Sequence, residues 1–445
     1  MSSRELHLLL LSSTSVGGSS WRRSGADNTP AGLLRATVER TKLVEAAKFD
    51  AVFFADFLDF GPEAAWPYKI TENFEPLTLT SALSVATERI GLVVTGSTTF
   101  QAPYNLARQF LSLDHLSGGR AGWNLVTTFS RAAADNFGDQ GLIAHDERYR
   151  RAGEALEVVR KLWDSWEEET VLRDRERGIY NDVSRIHRAN HHGTYFDVKG
   201  PLGAERSPQG QPVLFQAGSS ETGRAFAAEH ADVIFTGQLS FERAARFYAQ
   251  VGDQARRLGR ARGPLITPSL GFAVGSTEAE AQAIDLSLQE TFSPEYQAGW
   301  LSEVEVDVIG ADLDGPVPAS AFPDSTETHQ TALAGYRALA AQSATVREFL
   351  LRTKAAFGYR VVGSPERIAD EIQRWFEGRA SDGFVLHPAD AEGQLEAFVE
   401  HVVPILQQRG IFRRDYSGTT LRDHLGLPAP VNRYARDDSF AGTAS

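Results

Sequence analysis

The segment Pro212-Val-Leu-Phe-Gln-Ala-Gly-Ser-Ser-Glu-Thr-Gly223 runs an apolar strand into a Gly-Ser-Ser turn and then a helix. A helix N-terminus offers unpaired N–H groups and the positive end of the helix dipole, and the hydroxyls of Ser219 and Ser220 add donors, so this turn is suited to a phosphate. It reads equally as a serine that only N-caps the helix. Arg224, not Lys-Ser or Lys-Thr, follows Gly223, and no G-x-G-x-x-G occurs in the chain. A Walker A loop is therefore excluded and a dinucleotide bound in Rossmann fashion disfavoured, whereas a mononucleotide such as FMN fits.

Other residues point to the same chemistry. Asp56 follows the apolar run Val52–Ala55, so its carboxylate is expected where a buried strand ends. Thr95, Asn124 and Thr127 hold similar positions near the ends of later strands. Each could hydrogen-bond the edge of a flavin ring, or simply satisfy local backbone as a cap or turn residue. His145 and Tyr149 are four apart at the start of a helix and share a face, from which they could reach a phosphate or a ring. His187, His191 and His192 lack an H-E-x-x-H arrangement and an acidic partner at ligand spacing, so they read as a solvated loop and no metal site is expected.

Eight β-rich apolar runs would carry these groups: Leu6–Leu11, Ala51–Ala55, Ile90–Thr95, Ala121–Thr127, Pro212–Ala217, Asp232–Thr236, Ile266–Val274 and Gly383–His387. Helical patterns lie between them at about 33–48, 75–87, 104–116, 146–166, 221–230, 241–258 and 277–290, with a last one at 391–409. Eight strands each followed by a helix predict an α/β fold, a (β/α)8 TIM barrel whose active site sits on the loops after the strands. Stretches 167–211 and 291–364 are too long for ordinary connections and read as insertions in a single barrel domain, residues 1–427. The second is a candidate lid, and 428–445 is expected to be a frayed tail.

Composition narrows the partners. The 445 residues carry a net charge of −13, which gives no basic field to attract nucleic acid or anionic lipid. No apolar stretch is long enough to span a bilayer and no signal peptide pattern opens the chain, so a cytoplasmic protein is expected. There is no cysteine and the only methionine is Met1, which removes thiol nucleophiles and thiolate metal sites from consideration.

The run Leu113-Asp-His-Leu-Ser-Gly-Gly-Arg-Ala-Gly-Trp-Asn-Leu-Val-Thr-Thr128 resembles the signature of the bacterial-luciferase-like flavin monooxygenases, in the branch of nitrilotriacetate and dibenzothiophene sulfone monooxygenases. Trp21-Arg22, Asn136-Phe-Gly138, His145–Arg150, Lys161–Trp166, Ser207–Val213 and Gln216–Ser220 add to the likeness, which extends from about residue 5 to 427. The resemblance implies a luciferase-like barrel that uses reduced FMN (FMNH2), supplied by a separate NAD(P)H:flavin reductase. It would insert oxygen from O2, through a flavin C4a-(hydro)peroxide, into an organosulfur or aminopolycarboxylate substrate. It places flavin contacts at Asp56, Thr95, His145, Tyr149 and Ser219 or Ser220, with His145 also a candidate for moving a proton. It also implies a homo-oligomer, dimer or tetramer. The loop Phe57–Asn73 looks shorter than in those relatives and lies where substrate would bind. The rival readings are a deazaflavin-dependent oxidoreductase of the same fold, a barrel hydrolase using paired carboxylates, and a flavin-binding protein without turnover.

Overall fold

The computed structural model describes residues 4–12, 27–61, 63–68, 71, 73–128, 130–138, 143–218, 220–290, 293–302, 305–324, 330–355, 358–388 and 393–435. The eight expected strands are present, with ends moved by one or two residues: β1 (His7–Ser12), β2 (Ala51–Phe54), β3 (Gly91–Ser97), β4 (Ala121–Val126), β5 (Val213–Gln216), β6 (Val233–Thr236), β7 (Leu265–Val274) and β8 (Gly383–Pro388). Each pairs in parallel with the next, and β8 pairs with β1 to close the barrel.

Both faces of these strands are buried, which is why their sequences read as continuous apolar runs. One set of alternating side chains, Leu9, Phe53, Val93, Phe215, Val233 and Val385 among them, fills the interior. The other set, including Leu8, Val52, Val94, Trp123, Phe272 and Leu386, packs under the surrounding helices. Leu421 and Leu425, from the short helix Leu421–His424 and its C-cap, join the interior set. Nearby, at the N-terminal end of the strands, Arg413 Nη2 donates to Asp50 Oδ1 at 2.6 Å, and His7 Nδ1 lies 2.9 Å from the same oxygen.

The outer ring is α1 (Pro30–Ala46), α2 (Pro76–Ala86), α3 (Pro103–Leu116), α4 (His145–Trp163), α5 (Glu221–His230), α6 (Phe241–Arg257), α7 (Pro365–Glu377) and α8 (Gln394–Gln408, with one π turn at Phe398–Val402). Here the structure corrects the sequence reading. The helix Glu278–Glu290 forms, but the seventh place in the ring belongs to α7, whose Ile368, Ile372, Trp375 and Phe376 pack with Phe272 and Phe384. An extra strand, Tyr359–Gly363, lies inside the stretch taken for an insertion and pairs in parallel with the C-terminal half of β7.

The rest of that stretch has an apolar core of its own, built from Leu301, Val306, Val308, Val346, Phe349 and Leu350. Its helix Pro294–Ser302 packs against the 3-10 turn Glu63–Tyr68 in the loop after β2. The chain just beyond Pro428 is anchored rather than frayed. Asn432 is buried and donates to the carbonyls of Asp164 and Trp166, Arg433 pairs with Glu157, and Tyr434 stacks on His187.

Candidate active site

α4 begins at His145, with Asp146 and Glu147 in its first turn where acidic side chains suit the dipole. The four-residue spacing sets the rings of His145 and Tyr149 5.1 Å apart. Both face the start of α5. There Ser220 acts as N-cap, its Oγ accepting from Gly223 N at 3.0 Å and lying 3.4 Å from His145 Nε2. Asp146 Oδ1 holds His145 Nδ1 at 3.0 Å and accepts from Thr222 Oγ1 at 3.1 Å, and these hydrogen bonds keep its carboxyl below the usual aspartate range. With Nδ1–H engaged by a carboxylate, the neutral ring directs its Nε2 lone pair toward Ser220.

Gly223 makes the close approach possible. A Cβ there would stand 2.8 Å from Tyr149 Oη and 3.0 Å from Ser220 Oγ. At Gly218 a Cβ would meet the Gln216 amide at 2.5 Å. The capping role weighed for this turn is thus what Ser220 performs, while Ser219 lies outside the described residues.

A second group lies in the barrel interior. Asn124 Nδ2 donates to Thr95 Oγ1 at 2.9 Å, and Thr95 Oγ1 donates to the Phe54 carbonyl at 3.0 Å. These residues share the face of Val93 and Phe215, with Thr95 one step nearer the C-terminal mouth than Val93 and Asn124 level with Phe215. Asp56, two residues beyond β2, is half-buried, as is Thr127. The neighbouring loops are tied together. Ser130 Oγ donates to Asp59 Oδ2 at 2.6 Å, Asn136 Nδ2 to Leu58 O at 2.9 Å, and Phe100 stacks on Phe137 with centroids 4.6 Å apart.

Three polar groups near the mouth lack partners among the described residues: Asn124 Oδ1, Gln216 Oε1 and Arg148 Nε. A buried acceptor without a donor is costly, so an orphan at a barrel mouth marks a place for a ligand's N–H. Reduced flavin carries such N–H groups and a phosphate, and the residues present fit both. Sequence reasoning passed over Gln216 and Arg148. Arg148 is 3% exposed and sits on the core stripe of α4, where Nη1 donates to the Ile143 carbonyl at 2.6 Å, and burial lowers its pKa. Its signal in the sequence was a charge placed in line with Ala152, Ala155 and Val159.

The three histidines of the 167–211 stretch are held individually: His187 by Glu167, His191 by Glu154 and Lys161, and His192 by Asp197. Among the described residues no three His, Asp or Glu side chains are grouped to hold a metal ion. None of their helices is long and apolar enough to cross a membrane.

Residues 16–382 match the family of luciferase-like monooxygenases. N-acetyl-S-(2-succino)cysteine monooxygenase of Bacillus subtilis (strain 168) is 41% identical over 96% of this chain and 98% of its own length. Nitrilotriacetate monooxygenase component A of Aminobacter aminovorans is 38% identical over 96% and 97%. The crystal structure of riboflavin lyase (RcaE) with modified FMN and riboflavin superposes with a TM-score of 0.83, at 34% identity over 98% of both chains. The chain belongs to the luciferase-like monooxygenase family. It is a flavin-dependent monooxygenase on the expected TIM barrel, and the paired-carboxylate hydrolase reading falls.

Proposed function

We propose that the enzyme uses FMNH2, delivered by a separate NAD(P)H:flavin reductase, to insert an atom of O2 into a small carboxylate-bearing substrate. The observation that carries this reading is the cradle of Ser220, Gly223, Tyr149 and His145 at the start of α5, with the orphan acceptor Asn124 Oδ1 in the interior below the mouth. Ser220, Tyr149 and the first N–H groups of α5 hold the phosphate, as does Ser219, which precedes Ser220 in the sequence. Asn124, Thr95 and Asp56 hold the ring edge, and His145 offers its Nε2 lone pair to accept a proton. Bound reduced flavin supplies the activation of O2, and the protein supplies position and the exclusion of water. The 3-10 turn Glu63–Tyr68 and the helix Pro294–Ser302 packed against it provide that cover.

The substrate class is supported by the names of two relatives, one acting on N-acetyl-S-(2-succino)cysteine and one on nitrilotriacetate. We further place the enzyme in the cytoplasm as a homo-oligomer, dimer or tetramer.

The test has two parts. FMN and a deazaflavin are titrated into the purified chain, and NADH, FMN and a generic flavin reductase are then added with each of the two named substrates. FMN binding and reductase-dependent, substrate-stimulated O2 consumption are expected, with no NADH oxidation by the chain alone. Preference for the deazaflavin, or steady NADH oxidation without a reductase, would overturn the reading.

A further inference from the structure

Across the upper edge of the barrel, three strands place His387, Gly271 and Arg360 in one row. Gly271 of β7 pairs in register with His387 of β8 on one side and with Arg360 of the extra strand on the other. Residues paired in register point to the same face of a sheet. For this row the face is inward, since Val385, two residues before His387, belongs to the interior set. The intervening residues Leu386, Phe272 and Val361 lie in the outer core with Trp375 of α7.

Every other residue of β7 is buried, and only Gly271 is partly open to solvent. Its missing side chain leaves a small gap beside the Arg360 side chain, in which a Cβ would sit at ordinary contact distance. Arg360 Nη1 stands 3.5 Å from where a Cβ would be, and His387 is exposed on the other side. Arg360 Nη2 is held by Asp285 of the helix Glu278–Glu290, which fixes the plane of the fork. Nη1 has no hydrogen-bond partner among the described residues and faces the gap. β7 and β8 are four strands from β3 and β4, which puts them on the side of the barrel opposite the strands of Thr95 and Asn124.

We propose that this gap is the subsite for a carboxylate of the substrate, bound by Arg360 Nη1 and the His387 ring over the open backbone of Gly271. The planar guanidinium matches a carboxylate, and a side chain at residue 271 would occupy the space it needs. The inference rests on the flavin reading above for which atom is oxidised, but the subsite itself is defined by its own three residues. Anchoring one end of the substrate on this wall aims the other end at the flavin side of the mouth and selects carboxylate-bearing molecules.

Succinate serves as the probe, titrated calorimetrically into the full-length, flavin-free protein. It is expected to bind, and to lose at least tenfold in affinity in Arg360→Met and in Gly271→Val, and severalfold in His387→Phe. A Cβ at residue 271 makes only ordinary contacts, so Gly271→Val reads the subsite even if Arg360→Met does not fold. FMN affinity should be unchanged in all three. The proposal is overturned if succinate does not bind the wild type, if the variants bind it as well as the wild type, or if dimethyl succinate or inorganic phosphate binds as tightly. Because the titration contains no flavin, a failure of FMN to bind would count against the cofactor reading alone.

Discussion

Tyr149 and Gly223, 74 residues apart in the chain, approach so closely that one added methyl group would stand 2.8 Å from the phenol oxygen. The second close neighbour of that position is Ser220 Oγ at 3.0 Å, so a single glycine lets a ring from α4 and the cap of α5 meet at one point.

Gly223→Ala separates binding from stability. Alanine favours a helix over glycine by about 1 kcal/mol, and the crowding of Tyr149 and of the Ser220 cap offsets that gain, so the fold should hold with Tm level or slightly lowered. The displaced Tyr149 and Ser220 should lower FMN affinity about tenfold, roughly 1.4 kcal/mol. Fluorescence titration of FMN alongside thermal unfolding checks both halves.

The Asn124–Thr95 pair should respond asymmetrically. Thr95→Val strands the buried Asn124 Nδ2 and removes the donor to Phe54 O, a loss of about 1–3 kcal/mol. Asn124→Ala leaves Thr95 bonded to Phe54 and removes an orphan acceptor, so it should cost less. Urea unfolding of the two variants at one pH gives the comparison, and equal losses would contradict it.

His424 predicts an acid limb. Burial pushes its pKa down to about 4 from the ordinary 6.5, so the fold favours the neutral ring. That contribution is complete above pH 6.5 and is lost as pH falls from 6.5 toward 4, at most roughly 3 kcal/mol. His230, also held low by burial, adds to the same limb. His424→Phe, which keeps the ring packed on Tyr416, should flatten part of the slope in denaturant midpoints measured between pH 7 and 4.

Asp114 acts in the opposite sense. Burial raises its pKa to about 6, so its contribution is complete below pH 3.8 and is lost as pH rises through 6. Asp114→Asn keeps an oxygen for Ala121 N and Gln209 Nε2, and turns an N–H toward Ser207 Oγ, which neighbours the carboxyl. The variant should therefore be more stable than wild type at pH 8, by about 1–2 kcal/mol, and the gain should vanish near pH 4. Unfolding at the two pH values tests the sign.

The motif that carries the family likeness is mostly a structural lock. Arg120 donates to the carbonyls of Ser84, Thr87 and Ile90, and Asp114 accepts from Ala121 N, all at the N-terminal end of β3 and β4 and away from the mouth. Of that run, Asn124 is the residue that reaches the candidate site. Conversely, the Gly-Ser-Ser turn and the His145–Tyr149 spacing were legible because each is local, a strand entering a helix and two residues one helical turn apart. Arg148 was obscured because a charge near a helix start ordinarily faces water, and only packing shows it 3% exposed.

Read by itself, the chain determined what depends on near neighbours: eight buried strands, the helices between them, and short turns whose residue types suit a phosphate. It put the seventh ring helix at 277–290, whereas that place belongs to Pro365–Glu377, because the choice lay in which apolar face met Phe272 and Phe384. Tertiary structure alone decided that His145 meets Ser220 across 75 positions and that His387, Gly271 and Arg360 stand in one row. Such meetings depend on register between distant strands. A slip of one residue would turn every side chain of a strand to its other face, and register is set by the packing of the whole barrel rather than by any local pattern.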